Sequence, residues 1–410
     1  MRDAMASAEH RVWIRTVGIV WIAELIALMG MSLIMPFLPL YLKDLGVPDR
    51  DASFWAGWVG GANFLCSALI APFWGTLADR FGRKPMALRA LVGLAVTVLL
   101  MGHAQNVYQL LFLRLLQGAF GGFVAAAIAL VGSAVPRERL GSALGFLQTA
   151  VVGGNLVGPL LGGELSHRFG YRSTFQITGA ALLVAACLIL VFVRERHAAP
   201  EPGERRGVAQ NVQELIRLPA LRWMLVVVVC SHAGMMLINP QISLFLRHLV
   251  RRPEELNRAV GLVIAAPALA SFLMAPLWGR EGDRRGPARV LGFALCGAGL
   301  TIPGAALAQN VWQVFLVRLV MGGFISALSP STHSAVARCV PQNRTAGAFS
   351  LLSSAQMLGS CLGPFASGPI AATVGVRCLF PLTGLLLLLG SVAAFRAHAE
   401  AAVSPATKNQ

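Results

Sequence analysis

Long apolar runs separated by short polar connections dominate this 410-residue chain. Twelve runs are long enough to span a bilayer: 12–40, 52–78, 86–104, 108–135, 140–165, 174–194, 221–249, 258–279, 288–308, 312–338, 344–372 and 378–398. A bilayer core of about 30 Å requires about 20 helical residues. Where a helix is apolar all round, periodicity discriminates little and run length decides. Helix is the state these runs must take, because an unpaired backbone N–H or C=O in lipid is too costly. The pattern predicts an all-α integral membrane protein of twelve transmembrane helices.

The pattern is also written twice. Ala71-Pro72-Phe73-Trp74-Gly75 returns 204 residues later as Ala275-Pro276-Leu277-Trp278-Gly279. The same offset relates Asp79 to Asp283, Ala104-Gln105-Asn106-Val107 to Ala308-Gln309-Asn310-Val311, and Arg114 to Arg318. Gly158-Pro159 and Gly363-Pro364 are related by 205. A repeat of this length is far longer than a solenoid unit. Paired bundles of apolar helices are a common architecture of secondary transporters, with the site at their interface. The expected organisation is two pseudo-symmetric six-helix bundles, 1–194 and 221–398, joined by a linker at 195–220 and followed by a disordered tail at 399–410. A short surface helix is expected at 212–218.

Composition agrees, with 56% hydrophobic and 13% charged residues, against about 25% charged in soluble domains. The net charge of +16 does not mark a nucleic-acid partner, because the cations sit in the connections between spans. The termini, the linker and the connections after spans two, four, eight and ten hold 23 of the 34 Lys and Arg residues. By the positive-inside rule both termini are cytoplasmic. The seven cysteines lack CxxC pairing and fall in or beside spans, so they read as packing residues. No metal-ligand spacing and no phosphate-binding GxxxxGK[ST] loop occurs in the sequence. The reading requires no cofactor; the energy source is an ion gradient.

After span two comes Gly75-Thr76-Leu77-Ala78-Asp79-Arg80-Phe81-Gly82-Arg83-Lys84. Gly75 lets two helices approach closely. Asp79 puts a carboxylate where a helix N-terminus can receive it. Gly82 permits the tight turn, and Arg80, Arg83 and Lys84 hold the inner face. Span four carries Arg114-Leu115-Leu116-Gln117-Gly118. A buried guanidinium there cannot deprotonate and must face water, a carboxylate or backbone carbonyls. Two readings stay open for Arg114: a permanent charge that tunes a proton-carrying carboxylate, or a clamp on a neighbouring helix. Arg318, without the Gln, reads as structural. In span five, Gly145, Gly154, Gly158-Pro159 and Gly162-Gly163 place Gly154, Gly158 and Gly162 on one helix face, suited to backbone-close packing. Span eleven keeps Gly359, Gly363-Pro364 and Gly368.

With twelve spans, these motifs resemble the major facilitator superfamily. The span-five pattern resembles the signature of its drug:proton antiporter branch, and MPFLPLYL at residues 35–42 extends the likeness to one subfamily of bacterial multidrug exporters. The resemblance implies a bacterial inner-membrane location and a monomer. It also implies that the Asp79 loop latches one conformation by meeting the start of span eleven near 344–348. A matching role at Asp283 follows less closely, because its loop departs from the pattern.

Glu24 is the one acid of eighteen plainly inside a span. It lies nine residues beyond Arg15, roughly 14 Å deep at 1.5 Å per residue. Intramembrane carboxylates are functional by default, so Glu24 is the candidate to exchange a proton or contact substrate; a permanently neutral acid or an Arg114 partner are the plainer readings. Pro36 and Pro39 are expected to bend the outer end of span one, with Tyr41 at the membrane interface. Asn63, Gln148, His232, Asn239 and Gln356 are cavity candidates, each also readable as an interhelical hydrogen bond. The expected function is a proton-driven exporter of lipophilic small molecules working within membrane lipid. Export of one metabolite or siderophore is the alternative, and an uptake symporter fits the span-five pattern less well. Paired catalytic groups are missing from the sequence, which argues against an enzyme.

Overall fold

The structure is a computed structural model that describes residues 2–136, 139–193, 195, 213–340 and 344–403; for 2–12, 72, 75–76, 78–80, 346 and 401–403 it describes the backbone alone. Every regular element among the described residues is helical. Among the described residues, eleven helical segments are long and apolar enough to cross a membrane. One of them, Leu140–Phe192, has 53 residues and a non-helical break at Gly170, φ 76°. A continuous helix of that length would reach about 80 Å, far more than a bilayer. Gly170 therefore separates spans five and six, and twelve spans result.

Proline breaks recur at matched positions. Span one runs Arg2–Ile34, tightens to a 3₁₀ turn at Met35–Phe37 and resumes as Leu38–Asp44. Span seven runs Pro219–Ile238 and resumes as Ile242–Arg247, with Pro240 at the break as Pro36 is in span one. Spans two and eight are Asp49–Phe81 and Leu256–Arg285. Spans three and nine are Arg83–Met101 and Pro287–Thr301. Spans four and ten each come in two pieces, Val107–Ala119 with Phe123–Ala134 and Val311–Ile325 with Leu328–Cys339. Spans eleven and twelve are Thr345–Val374 and Leu379–Val403.

The internal repeat extends to individual hydrogen bonds. Asn106 accepts from Gln109 N at 2.9 Å and Asn310 from Gln313 N at 3.0 Å, while each Gln reaches back to the backbone N–H of Gln105 or Gln309. These are reciprocal N-terminal caps, and they explain the repeated AQNV. Trp74 Nε1 donates to Ala119 O at 2.6 Å and Trp278 Nε1 to Gly323 O at 2.7 Å, which explains the repeated APxWG. Large apolar side chains such as Leu69, Phe73, Tyr108, Leu307 and Trp312 face outward, as lipid-solvated positions should.

Two expectations are corrected. Tyr41 is not interfacial: it is fully buried, and its hydroxyl donates to Met101 O at 3.1 Å. The tail is not irregular from 399, since the last helix continues to Val403; 404–410 lie outside the described residues. In the linker, the short helix expected at 212–218 is present over 213–216 of the described residues, with Leu215 buried and Glu214 paired to Arg344 at 2.7 Å.

The two halves meet closely at the end of the bundle that carries the 45–48 and 248–255 connections, here called the distal end. Gly57 lies against the backbone of Pro364 and Gly368, and Gly261 against Pro159. Side chains reinforce the seam: Gln241 Nε2 donates to Ser53 O at 2.8 Å, Tyr171 to Asn257 at 2.9 Å, and Trp58 packs edge-on to Phe365. Arg258 and Arg247 pair across it with Glu164 at 2.8 Å and Asp49 at 3.3 Å. Exposed pairs contribute little each, so backbone packing at the glycines is the stronger constraint.

Candidate functional site

Between the halves lies a cavity of about 370 Å³. Its wall is mostly apolar and rich in thioethers, from Met31 and Met35 of span one to Met235, Met236 and Met321 of the second half. Its polar side chains are Ser32, Asn63, Arg114, Gln117 and Asn155 on one side and Asn239, Arg318 and Thr383 on the other. A flexible sulfur-lined wall with few fixed polar groups adapts to ligands of different shape.

Arg114 is 4% exposed and held within its own half. It donates through Nε to Val59 O at 3.0 Å and through Nη1 to Gln117 Oε1 at 2.5 Å, with Nη2 3.0 Å from Met35 Sδ. Asn63 donates to the same Gln117 oxygen at 3.1 Å. Of the two open readings, the contacts are those of a clamp: Val59 is on span two, and among the described residues no carboxylate is a partner. Gln117, unremarked beyond the motif match, is the hub, and its signal was the i, i+3 spacing from Arg114.

Glu24 does not line this cavity. It sits in a separate pocket of about 100 Å³ with Ile128 of span four and Leu144, Leu147 and Gln148 of span five. It is fully buried, and neither carboxylate oxygen has a hydrogen-bond partner among the described residues. Glu24 and Gln148 are thus brought together, whereas Glu24 and Arg114 are not partners. Asn63 and Asn239 line the central cavity; His232 and Gln356 do not. His232 Nδ1 lies 3.0 Å from Val228 O one turn back, and Gln356 is exposed.

The span-five glycines divide by neighbour. A Cβ on Gly154, Gly158 or Gly162 would sit 2.7 Å from Leu28 Cβ, 2.6 Å from Met29 O and 2.6 Å from Leu33 O, all on span one. Gly163 faces the other half, where a Cβ would meet Asn257 O at 2.6 Å. Gly145 has open space around it and takes no part in either contact. One motif therefore seats the helix bearing Glu24 and also forms part of the seam between halves.

At the end opposite the seam, Gly82 turns the chain at φ 97°. Arg83 Nη1 donates to Ala129 O at 2.7 Å and Lys84 Nζ to Leu190 O at 2.8 Å, covering carbonyls near the ends of spans four and six. The start of span three is capped by Glu195, whose two oxygens accept from Arg83 N and Lys84 N at 2.8 Å each. Glu195 reaches this helix start from 111 residues away in the sequence. The side-chain contacts of Gly75, Asp79 and Arg80 lie outside what is described, so the expected latch to 344–348 has no described geometry. Asp283 pairs with Arg338 at 3.4 Å. Glu195→Gln weakens the cap and is expected to cost about 1 kcal/mol, read as a lower midpoint of thermal unfolding; an unchanged midpoint would remove the cap from the account.

Residues 20–253 and 224–410 each match the family model described as Major Facilitator Superfamily. The chain is 37% identical over 386 residues to Multidrug resistance protein MdtG of Serratia proteamaculans, covering 93% of each chain. It is 36% identical over 381 residues to the protein of the same name in Citrobacter koseri, covering 93% of this chain and 94% of that one. Among solved structures, a bacterial homologue of the human lysosomal transporter Spinster superposes with a TM-score of 0.78 at 16% identity, over 93% of this chain and 96% of that one.

Proposed function

This chain belongs to the major facilitator superfamily and is a membrane transporter, not an enzyme; from that premise we propose that it exports structurally varied lipophilic molecules across the inner membrane in exchange for protons. The observation that carries the reading is the thioether-walled cavity at the boundary of two pseudo-symmetric halves, in a chain 37% identical to a multidrug resistance protein along most of its length.

The halves rock about that cavity. With the distal end as the outer face, its glycine seam closes the cavity to the outside in the present conformation. A substrate enters from the inner side, the seam parts and the substrate leaves outward. Glu24 takes a proton from outside, which disfavours the substrate-bound state, and gives it up inward to reset the cycle. Span one links the two sites, because Leu28 and Met31, one and two turns beyond Glu24, line the cavity. Purified protein in proteoliposomes tests this with several unrelated lipophilic dyes and an imposed pH gradient. Gradient-dependent movement of the dyes, abolished by a protonophore, is expected. Pumping that persists once the membrane is fully proton-permeable would refute it.

A further inference from the structure

The 204-residue offset allows the surroundings of Arg114 and Arg318 to be compared position by position. Arg114 is held by Gln117, which Asn63 supports, and touches Met35. The corresponding positions in the second half are Met321, Pro267 and Asn239. Both amides that serve Arg114 are replaced by side chains without an amide, a weakly accepting thioether and a proline ring. Arg318 is nonetheless 95% buried, being 5% exposed. Its one hydrogen-bond partner among the described residues is Asn239 Oδ1, at 3.4 Å, and its Nε has none.

A guanidinium keeps its charge in a protein, and burying it without a partner is costly. The described residues lining the cavity include two arginines and no carboxylate, Glu24 being in its own pocket. The counter-charge for Arg318 is therefore absent from the walls and has room to arrive with a ligand. We propose that Arg318 anchors an oxyanion, so that the cavity takes lipophilic anions: an apolar body against the methionines and a carboxylate or similar group on the Arg318 fork. This rests on the export reading and adds a substrate class to it.

The test uses the purified full chain and three naphthalene probes of nearly equal size: 2-naphthoate, 2-naphthamide and the 2-naphthyl trimethylammonium cation. Equilibrium dialysis is expected to give naphthoate at least about tenfold tighter binding than the amide, the scale of one charge-assisted hydrogen bond, with the cation weakest. Arg318→Gln should erase the preference. Arg318→Lys, which keeps the charge but loses the fork, should retain part of it. Equal binding of naphthoate and amide by the unaltered protein would overturn the proposal without any variant, as would a preference that survives Arg318→Gln. If the cation is pumped in proteoliposomes while naphthoate shows no preference, the export reading stands and the anion site falls. If naphthoate binds with the preference but no compound moves under a pH gradient, the anion site stands and the export reading falls.

Discussion

Glu24→Gln is expected to abolish transport driven by a pH gradient and to make ligand binding independent of pH. The amide matches the protonated acid in shape and cannot release a proton, so the variant should bind ligand with the weak affinity that the native protein shows at low pH. The sign follows from the cycle: protonation accompanies substrate release, so native affinity should fall as pH falls and the variant should sit at that lower limit throughout. Coupling between two sites is typically about 1–3 kcal/mol, or about five- to 150-fold in affinity. The effect must travel through span one, because Glu24 shares a pocket with Ile128 and Leu147 and not with the central cavity. Isothermal titration across a pH series, with transport assays alongside, reads both quantities. A variant that kept its pH dependence and its transport would remove Glu24 from the mechanism.

The second large effect is expected at the distal seam. A Cβ on Gly57 would lie 2.5 Å from Pro364 O and 2.8 Å from Gly368 N. Those are backbone atoms and cannot swing aside. Overpacking of this kind costs about 1–3 kcal/mol, and transporter states differ by only a few kcal/mol. Gly57→Leu should therefore shift the protein toward the conformation with the distal end open and stop turnover. Spin labels at positions 49 and 247, which pair across the seam at 3.3 Å in the native chain, should move apart. Gly158→Leu is the contrast: its side chain would strike Met29 and Ser32 within one half, so it should reduce the yield of folded protein instead of changing the label distance. Labels that stay close in the Gly57 variant would contradict the role given to the seam.

Much of this was legible in the sequence, for reasons that lie in the lipid environment. Run length sets span positions because the bilayer fixes helix length, and the 204-residue offset paired Asn106 with Asn310, whose matching caps only the structure shows. Neighbour identity was not legible. The i, i+4, i+8 spacing of Gly154, Gly158 and Gly162 names a face, but helices apolar all round do not declare which helix that face meets. The same limit hid the division between Gly162, against span one, and Gly163, against span eight. Tyr41 has the composition of an interfacial residue, and only the positions of Met101 and Ala104 bury it. Glu195 gave no local signal because its partners are backbone groups more than a hundred residues away. The missing Gln already separated Arg318 from Arg114 in the sequence and gave Arg318 a structural reading; that Met321 in place of Gln117 leaves a buried guanidinium short of partners acquires meaning only once both arginines line one cavity.

The most direct test of the central claim drives the cycle from the substrate side. Proteoliposomes containing a trapped pH dye are given a gradient of a transported compound and no initial pH difference. Two halves alternating about one cavity, with proton and substrate in exchange, predict proton movement opposite to the compound, absent in Glu24→Gln. Protons moving in the same direction as the compound, or not at all, would contradict it.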